Sequence, residues 1–377
     1  MHKVFITGSS LICALGNNKM EAINNFQIID EKNYKEYLKN NFEDINYYKI
    51  KKEFKDEEDK FYSSILQVIK EAINEAKLSK GEEKELHIFL ATTSMNISLL
   101  ENELLNENSI DYFGYKKVLD FIEKNINSKY PATIIQTACT SSANAIIKAS
   151  EQIKNSQIKK ALIIGFEFFN YSTFKGFESL MLLSQSGEYK PFDKNSDGLI
   201  LGEACSAIIL ENSQKTKEDF QIIGNYTSFD NYSITSSNPS GESTLQCFKN
   251  ALKSANLELK DIDFIKAHAT GSENSNFSEA TAINRLFYEN KKLCDVVILK
   301  PYIGHTLGSC GTNEIIILCE AIKNGLIPKT INFKSTYENI YFKPLLEDKK
   351  INKATTLFHF VGFGGSNASI IISNKGL

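Results

Sequence analysis

The sequence SANAIIKASEQIKN at residues 142–155 has a later counterpart, GTNEIIILCEAIKN at residues 311–324, and the two agree at half of their positions. Each stretch follows a run of small residues and spaces its apolar residues at helical intervals, which predicts a helix. A helix repeated in this way indicates two pseudo-symmetric halves, which we place at residues 1–213 and 214–377, on either side of the start of a polar stretch. Chance agreement between two apolar helices is the alternative interpretation.

Short β-rich runs alternate with helical patterns on both sides of these two helices. Alternation of this kind predicts an α/β fold. The runs lie at residues 4–7, 86–91, 133–136, 161–164, 207–210, 262–267, 296–299 and 368–372.

The composition describes a globular chain and excludes several classes of function. With 377 residues, 42% of them hydrophobic, the chain is long enough to bury a large core. A net charge of -3 provides no basic field for binding nucleic acid. Seven cysteines without a CxxC pair favour neither a disulfide framework nor a zinc site, and predict a reducing cytoplasm. We expect neither a signal peptide nor a membrane span.

The segment QTACTSS at residues 136–142 places Cys139 between a β-rich run and the start of the first repeated helix. Unpaired amides and the helix dipole favour negative charge at such a position, so we expect a lowered thiol pKa and a nucleophilic cysteine. The other six cysteines are interpreted as small buried hydrophobic residues. They are Cys13, Cys205, Cys247, Cys294, Cys310 and Cys319.

Two histidines also lie where a strand-like run enters a loop. His268 begins HATGSENSN, and His305 ends KPYIGH. A strand end fixes a side chain while the adjoining loop keeps it accessible, so both are candidates for catalysis. His2 and His87 are interpreted as structural, and His359 is left undecided between the two roles.

Five motifs, in this order along the chain, resemble the β-ketoacyl-acyl carrier protein synthases of the KAS I/II type, which use a Cys-His-His triad. They are TACTS around Cys139, PFDKNSDG from residue 191, AHAT from residue 267, KPYIGH from residue 300 and the glycine-rich loop GFGGSN from residue 362. The resemblance implies a thiolase-like fold in which two pseudo-symmetric α/β halves stack as αβαβα layers. It also implies a homodimer, with a heterodimer as the alternative.

The resemblance assigns a role to each residue that matches a family motif. Cys139 corresponds to the acylated nucleophile, and His268 and His305 correspond to the two catalytic histidines. Lys300 and Glu279 correspond to a structural ion pair. The remaining matches are Thr270 and Ser272 in the phosphopantetheine tunnel, Leu199 in the acyl pocket wall, and Phe363 as a mobile gate over the cysteine.

The implied reaction is a decarboxylative Claisen condensation between an acyl group on Cys139 and malonyl-acyl carrier protein, in fatty acid, polyketide or aryl polyene biosynthesis. No metal or redox cofactor is expected, because the phosphopantetheine arrives on the acyl carrier protein. The primer comes from coenzyme A or from a carrier protein. A catalytically silent partner resembling a chain-length factor is the alternative, but it typically lacks the cysteine.

Several residues depart from the family pattern. The family usually has phenylalanine at position 199, so Leu199 is expected to enlarge the acyl pocket. We interpret the departures as adaptation to a specialised acyl substrate or carrier, with simple drift as the rival explanation. Ala269 and Asn276 lie in the segment that follows His268. The other four departures, Pro301, Ile303, His359 and Phe360, are expected to crowd the cavity.

Overall fold

The computed structural model describes residues 2–30, 32–33, 45–105 and 114–376. Within these residues the chain forms twelve β-strands, six of them eight to ten residues long and the others shorter. The strands are β1 (Phe5–Cys13), β2 (His87–Ala91), β3 (Thr133–Ile135), β4 (Lys160–Glu167), β5 (Ala204–Glu211), β6 (Phe220–Phe229), β7 (Phe264–Lys266), β8 (Asp295–Val297), β9 (Leu326–Ile327), β10 (Lys349–Lys350), β11 (Thr355–Gly362) and β12 (Ser366–Ser373).

Eleven α-helices are present in the same described residues. Asn and Asp side chains cap several of their N-termini, as with Asp56, which accepts a hydrogen bond from the backbone of Asp59. The helices are α1 (Lys19–Ile28), α2 (Glu57–Glu75), α3 (Lys80–Glu83), α4 (Ile97–Leu105), α5 (Gly114–Ile126), α6 (Ser141–Lys154), α7 (Tyr171–Ser179), α8 (Glu242–Ala255), α9 (Glu273–Asn290), α10 (Lys300–Ile303) and α11 (Cys310–Lys323).

Ten strands form one sheet in the order β3-β2-β4-β5-β1-β6-β12-β11-β7-β8. The two halves meet where β1 pairs antiparallel with β6. From that junction outward, both halves have the same order and the same senses of pairing, antiparallel for two steps and parallel for the next two. This internal symmetry is the arrangement that the thiolase-like prediction required. The proposed boundary at residues 213 and 214 falls between β5 and β6 and stays a prediction.

The two repeated helices, α6 and α11, form the buried middle layer. They contact one another and lie within the largest apolar core. Gly311 allows this close contact, because a Cβ there would lie 2.3 Å from the backbone nitrogen of Ala143. Helix α2 packs on the outer face of the first half, and α8 and α9 pack on that of the second, each over its own core. The layers are therefore αβαβα.

Two further features complete the fold. All seven cysteines are free thiols, and only Cys294 is not fully buried. Among the helices of the described residues, none combines the length and the apolar character needed to cross a membrane.

Candidate active site

Cys139 lies in the tight turn between β3 and α6. Ala138 enters this turn with a left-handed φ of 51°, and the Ser141 hydroxyl donates to the Ala138 carbonyl at 2.6 Å. The glycine-rich loop approaches the turn from the other half of the molecule. A Cβ on Gly362 would lie only 3.3 Å from the backbone nitrogen of Cys139, so the loop and the turn are in tight contact here.

One cavity of about 490 Å³ opens beside Cys139. Seven of the nine residues predicted for the site line it, and they come from both halves of the chain. They are Cys139, Leu199, His268, Thr270, Ser272, His305 and Phe363. The two others, Lys300 and Glu279, are buried behind the histidines.

The two histidines enter the cavity from the segments that follow the neighbouring strands β7 and β8 of the second half. His268 follows β7, and His305 follows α10 after Gly304, whose φ is 70°. Their ring centroids are 5.2 Å apart and the ring planes are inclined at 83°. The backbone nitrogen of His305 donates to the Ile200 carbonyl at 2.7 Å, which ties this loop to the first half.

Each imidazole has a partner at its Nδ1 atom. The Nζ atom of Lys300 lies 3.3 Å from Nδ1 of His268. The Sγ atom of Cys310 lies 3.2 Å from Nδ1 of His305. The Nε2 atoms are therefore the ring nitrogens left for a ligand in the cavity.

The ion pair of Lys300 differs from the predicted one. Its Nζ atom lies 2.5 Å from Oε1 of Glu314, while Oε2 of the same carboxylate accepts from Lys266, also at 2.5 Å. Glu279, the predicted partner, instead accepts from the backbone nitrogens of His268 and Ala269, both at 2.7 Å. The Lys300–Glu279 assignment was therefore wrong in its geometry, because the Glu279 carboxylate is used to hold the loop that carries His268.

The electrostatics keep both histidines neutral. Burial, followed by the charge of Lys300, lowers the pKa of both rings well below the usual value. Burial is the largest single effect on Lys300 and would lower its pKa as well, but the charge of Glu314, its hydrogen bond and smaller effects together raise that pKa. Lys300 is thus an ammonium that donates to a neutral His268.

The thiol of Cys139 departs from the prediction. Burial raises its pKa, and the opposing effect of Lys300 is smaller. The expectation of a lowered pKa was therefore wrong in direction, because the desolvation of a side chain that is only 5% exposed outweighs the favourable position at a helix start. The resting cysteine is therefore a thiol, which loses its proton when it attacks.

The cavity lining contains both apolar and hydroxyl-bearing side chains. Phe363 stacks on Phe177 with ring centroids 5.6 Å apart. The hydroxyls of Thr270 and Ser272 lie 3.1 Å from one another, within hydrogen-bond distance. Leu199 forms part of the wall, and its backbone nitrogen donates to Leu182, which also lines the cavity.

The departures from the family pattern that were expected to crowd the cavity do not line it. The ammonium nitrogen of Lys266 lies 3.7 Å from the ring centroid of Phe360. His359 packs against Phe248, and its Nδ1 lies 3.0 Å from the Ser369 hydroxyl. Pro301 and Ile303 are likewise buried outside the lining. The expectation that these four residues crowd the cavity was wrong, because their side chains are buried and none of them belongs to its lining.

Two residues of this buried support, Lys266 and Glu314, were not singled out from the sequence, and Cys310 was interpreted only as a small buried hydrophobic residue. Lys266 stood inside a strand-like run, Glu314 stood in the second repeated stretch, and Cys310 stood immediately before that stretch. A charged residue within an otherwise apolar run was the available signal for the first two. In the part of the chain that the structure describes, no group of three or more His, Cys, Asp or Glu side chains is placed to hold a metal ion.

Comparison with known proteins identifies the family. The family models "Beta-ketoacyl synthase, N-terminal domain" and "Beta-ketoacyl synthase, C-terminal domain" match residues 27–216 and 220–334. A putative mitochondrial 3-oxoacyl-[acyl-carrier-protein] synthase of Schizosaccharomyces pombe is 30% identical over 71% of this chain and 71% of its own length. The 3-oxoacyl-[acyl-carrier-protein] synthase 2 of Coxiella burnetii is also 30% identical, over 65% of this chain and 62% of its own.

Solved structures agree on the fold. The ishigamide ketosynthase/chain length factor superposes with a TM-score of 0.84 at 20% identity, covering 100% of both chains. A type II polyketide synthase acyl carrier protein in complex with its ketosynthase gives 0.83 at 20% identity, covering 99% of both chains. The fold is therefore the one these ketosynthases share, and the chain belongs to the β-ketoacyl synthase family of condensing acyltransferases.

Proposed function

We propose that this protein catalyses decarboxylative condensation between an acyl group carried on Cys139 and malonyl-acyl carrier protein. The observation that carries the proposal is the meeting of Cys139, His268 and His305 on one cavity. The reaction needs a nucleophile for one thioester and hydrogen-bond donors for the enolate formed from the other. This cavity offers both.

In the first half-reaction, the sulfur of Cys139 attacks the carbonyl carbon of the incoming acyl thioester. Because the cysteine rests as a thiol, its proton passes to the sulfur of the departing phosphopantetheine as the new thioester forms. The backbone nitrogens of Cys139 and Phe363 are our candidates for donating to the oxyanion. The acyl–sulfur bond to the carrier breaks as the bond to Cys139 forms.

In the second half-reaction, malonyl thioester loses carbon dioxide and leaves an enolate. The Nε2 atoms of His268 and His305 donate to its oxygen, where negative charge develops in the transition state. The enolate carbon then attacks the acyl carbonyl on Cys139. Collapse of that intermediate releases the cysteine and yields the extended β-ketoacyl thioester.

The substrates also define the proposed partners and compartment. We propose acyl carrier protein as the carrier, since the relatives are named for it and one similar structure contains a ketosynthase with its carrier. We propose a homodimer, or a heterodimer with a synthase-like subunit, no cofactor beyond the carrier's phosphopantetheine, and a reducing compartment such as the cytoplasm. The free thiols are compatible with that compartment.

A second candidate is a silent subunit resembling a chain-length factor. It is favoured by the similarity to structures such as the Xenorhabdus doucetiae ketosynthase in complex with its chain length factor, with a TM-score of 0.82. The retained thiol and both neutral imidazoles on the cavity favour the enzyme instead.

The test combines two measurements on the purified protein. Incubation with acyl carrier thioesters should produce a mass increase that maps to Cys139, and incubation with malonyl carrier protein should release carbon dioxide. Cys139→Ala should abolish acylation and condensation but retain decarboxylation. His268→Ala and His305→Ala should each slow decarboxylation by about two orders of magnitude or more.

Activity that requires a companion subunit in every assay would favour the silent partner. Decarboxylation by both histidine variants at the rate of the parent would contradict the assigned role of His268 and His305. Hydrolysis of acyl thioesters without malonyl carrier protein would point to a cysteine hydrolase instead.

A further inference from the structure

Cys310, the first residue of α11, contacts a catalytic histidine from behind. Its Sγ atom is 3.2 Å from Nδ1 of His305. The side chain is fully buried and does not line the cavity. Cys310 can therefore hydrogen-bond to His305 but cannot contact a ligand in the cavity.

The hydrogen bonds around Cys310 indicate which groups donate and which accept. The amide Nδ2 of Asn313 donates to the Thr306 hydroxyl at 3.4 Å, and that hydroxyl donates to the sulfur of Cys310 at 3.6 Å. The sulfur of Cys310 thus accepts a hydrogen bond from Thr306, and its own S–H is left to donate to another acceptor. The acceptor on that other side is Nδ1 of His305.

Both members of the contact are neutral. Burial raises the pKa of Cys310 to about 12 and lowers the pKa of His305 well below its usual value. A neutral imidazole carries one ring proton, and the hydrogen bond at one nitrogen selects which nitrogen holds it. If the thiol donates to Nδ1, the proton must lie on Nε2.

We propose that Cys310 is a positioning residue that donates its S–H to Nδ1 of His305 and so holds the ring proton on Nε2, toward the cavity. Lys300 does the same for His268 from the other side, since an ammonium can only donate. The two imidazoles then present two Nε2–H donors to one oxygen. The inference rests on the proposed function for its meaning, but the tautomer itself can be measured without any substrate.

The experiment reads the tautomer directly. The protein is prepared with histidine labelled with ¹⁵N in the ring, and long-range ¹H–¹⁵N correlation spectra of the substrate-free protein distinguish Nδ1 from Nε2 protonation. We expect the parent to show His305 protonated on Nε2. Cys310→Ala should shift it toward Nδ1 or a mixture, and Cys310→Ser, which keeps a hydroxyl donor, should restore Nε2.

Decarboxylation of malonyl carrier protein provides the second measurement. Cys310→Ala should lower the rate by about three- to tenfold, the effect of one net hydrogen bond, and Cys310→Ser should recover most of it. Cys319→Ala is the matched control, because Cys319 is another buried thiol of α11 and has no part in the proposed site. This control should leave the His305 tautomer as in the parent.

Protonation of His305 on Nδ1 in the parent would overturn the proposal, as would identical His305 spectra in the parent and Cys310→Ala. A parent that shows the Nε2 tautomer but releases no carbon dioxide would refute the proposed function and leave the tautomer assignment standing. A slower Cys310→Ala with an unchanged tautomer would assign the thiol a packing role only.

Discussion

The ammonium of Lys300 lies 3.3 Å from Nδ1 of His268 and 2.5 Å from the carboxylate of Glu314. Since an ammonium only donates, His268 accepts at Nδ1 and carries its proton on Nε2. The carboxylate has a second cation, Lys266, on its other oxygen. The buried carboxylate of Glu314 therefore pairs with two lysines, and one of them, Lys300, contacts the ring of His268.

Lys300→Met should lower malonyl decarboxylation by about ten- to a hundredfold, the effect of one charge-assisted hydrogen bond. Removing the positive charge should also raise the pKa of His268, so the acid limb of the rate profile should move to higher pH. Glu314 keeps Lys266, so we expect the variant to fold. The pH dependence of carbon dioxide release measures both effects.

The matched control is Lys266→Met, which leaves Glu314 paired with Lys300. It should slow decarboxylation less than Lys300→Met does, because the measured contacts of the Lys266 ammonium are with Glu314, His359 and Phe360. Equal losses in the two variants would show that the net charge of the cluster matters and the contact with His268 does not.

His359→Asn should make the protein more resistant to acid. Burial lowers the pKa of His359 to about 3, whereas the unfolded chain binds a proton there below about pH 6.5. The neutral ring thus contributes its full stability above that pH and loses it progressively as the pH falls toward 3. Between about pH 6 and 4, the free energy of unfolding should fall less steeply in the variant, by about 1.4 kcal/mol per pH unit. Urea unfolding at several pH values measures the slopes, and parallel slopes would contradict the prediction.

The sequence predicted the residues that line the cavity better than those that support it. Cys139, His268 and His305 each come shortly after a strand-like run, at a predicted turn or loop. This local pattern can be recognised from the sequence alone. The partner of Lys300 could not be recognised from the sequence, because the choice between Glu279 and Glu314 depends on how α9 and α11 pack around β7. The direction of the Cys139 pKa was missed for a similar reason, since burial is a property of the whole fold.

For the fold as well, features with a local sequence signal were predicted and a feature that depends on long-range contacts was missed. The repeated helix predicted two equivalent halves, and the eight β-rich runs all coincide with observed strands. Strand β6, which joins the second half to β1, was not among them. Its sequence, FQIIGNYTSF, mixes polar residues and glycine into the run, and it is held by pairing with β1 and β12, both distant in sequence. Long-range pairing of this kind overrides local propensity.

Gly311→Ala should destabilise the protein. The new Cβ would lie 2.3 Å from the backbone nitrogen of Ala143, at the contact between α6 and α11 where no flexible side chain can move aside. Overpacking at such a site typically costs about 1–3 kcal/mol, so the free energy of unfolding should fall by that amount. Thermal or urea unfolding at neutral pH measures it.

Gly176→Ala is the matched control for this substitution. Gly176 lies inside α7, and a Cβ there would meet nothing within 4 Å. The alanine should therefore stabilise the helix by about 0.5–1 kcal/mol. Loss of stability in both variants would show that the α6–α11 contact has no special requirement for glycine.

Leu199→Phe should shorten the acyl chains that the protein accepts. Leu199 is 3% exposed and lines the cavity beside Leu182, so the larger ring at this position would occupy volume that the chain of a bound acyl group uses. Acylation of Cys139 by thioesters of increasing chain length, followed by mass spectrometry, gives the preferred length of each protein. The parent should accept longer or bulkier groups than the variant.

Leu201→Phe is the control for this substitution. Leu201 is also buried but lies outside the cavity lining. A phenylalanine there should change the stability of the protein without changing its chain-length preference. The same length preference in the parent and Leu199→Phe would show that this side chain does not bound the acyl pocket.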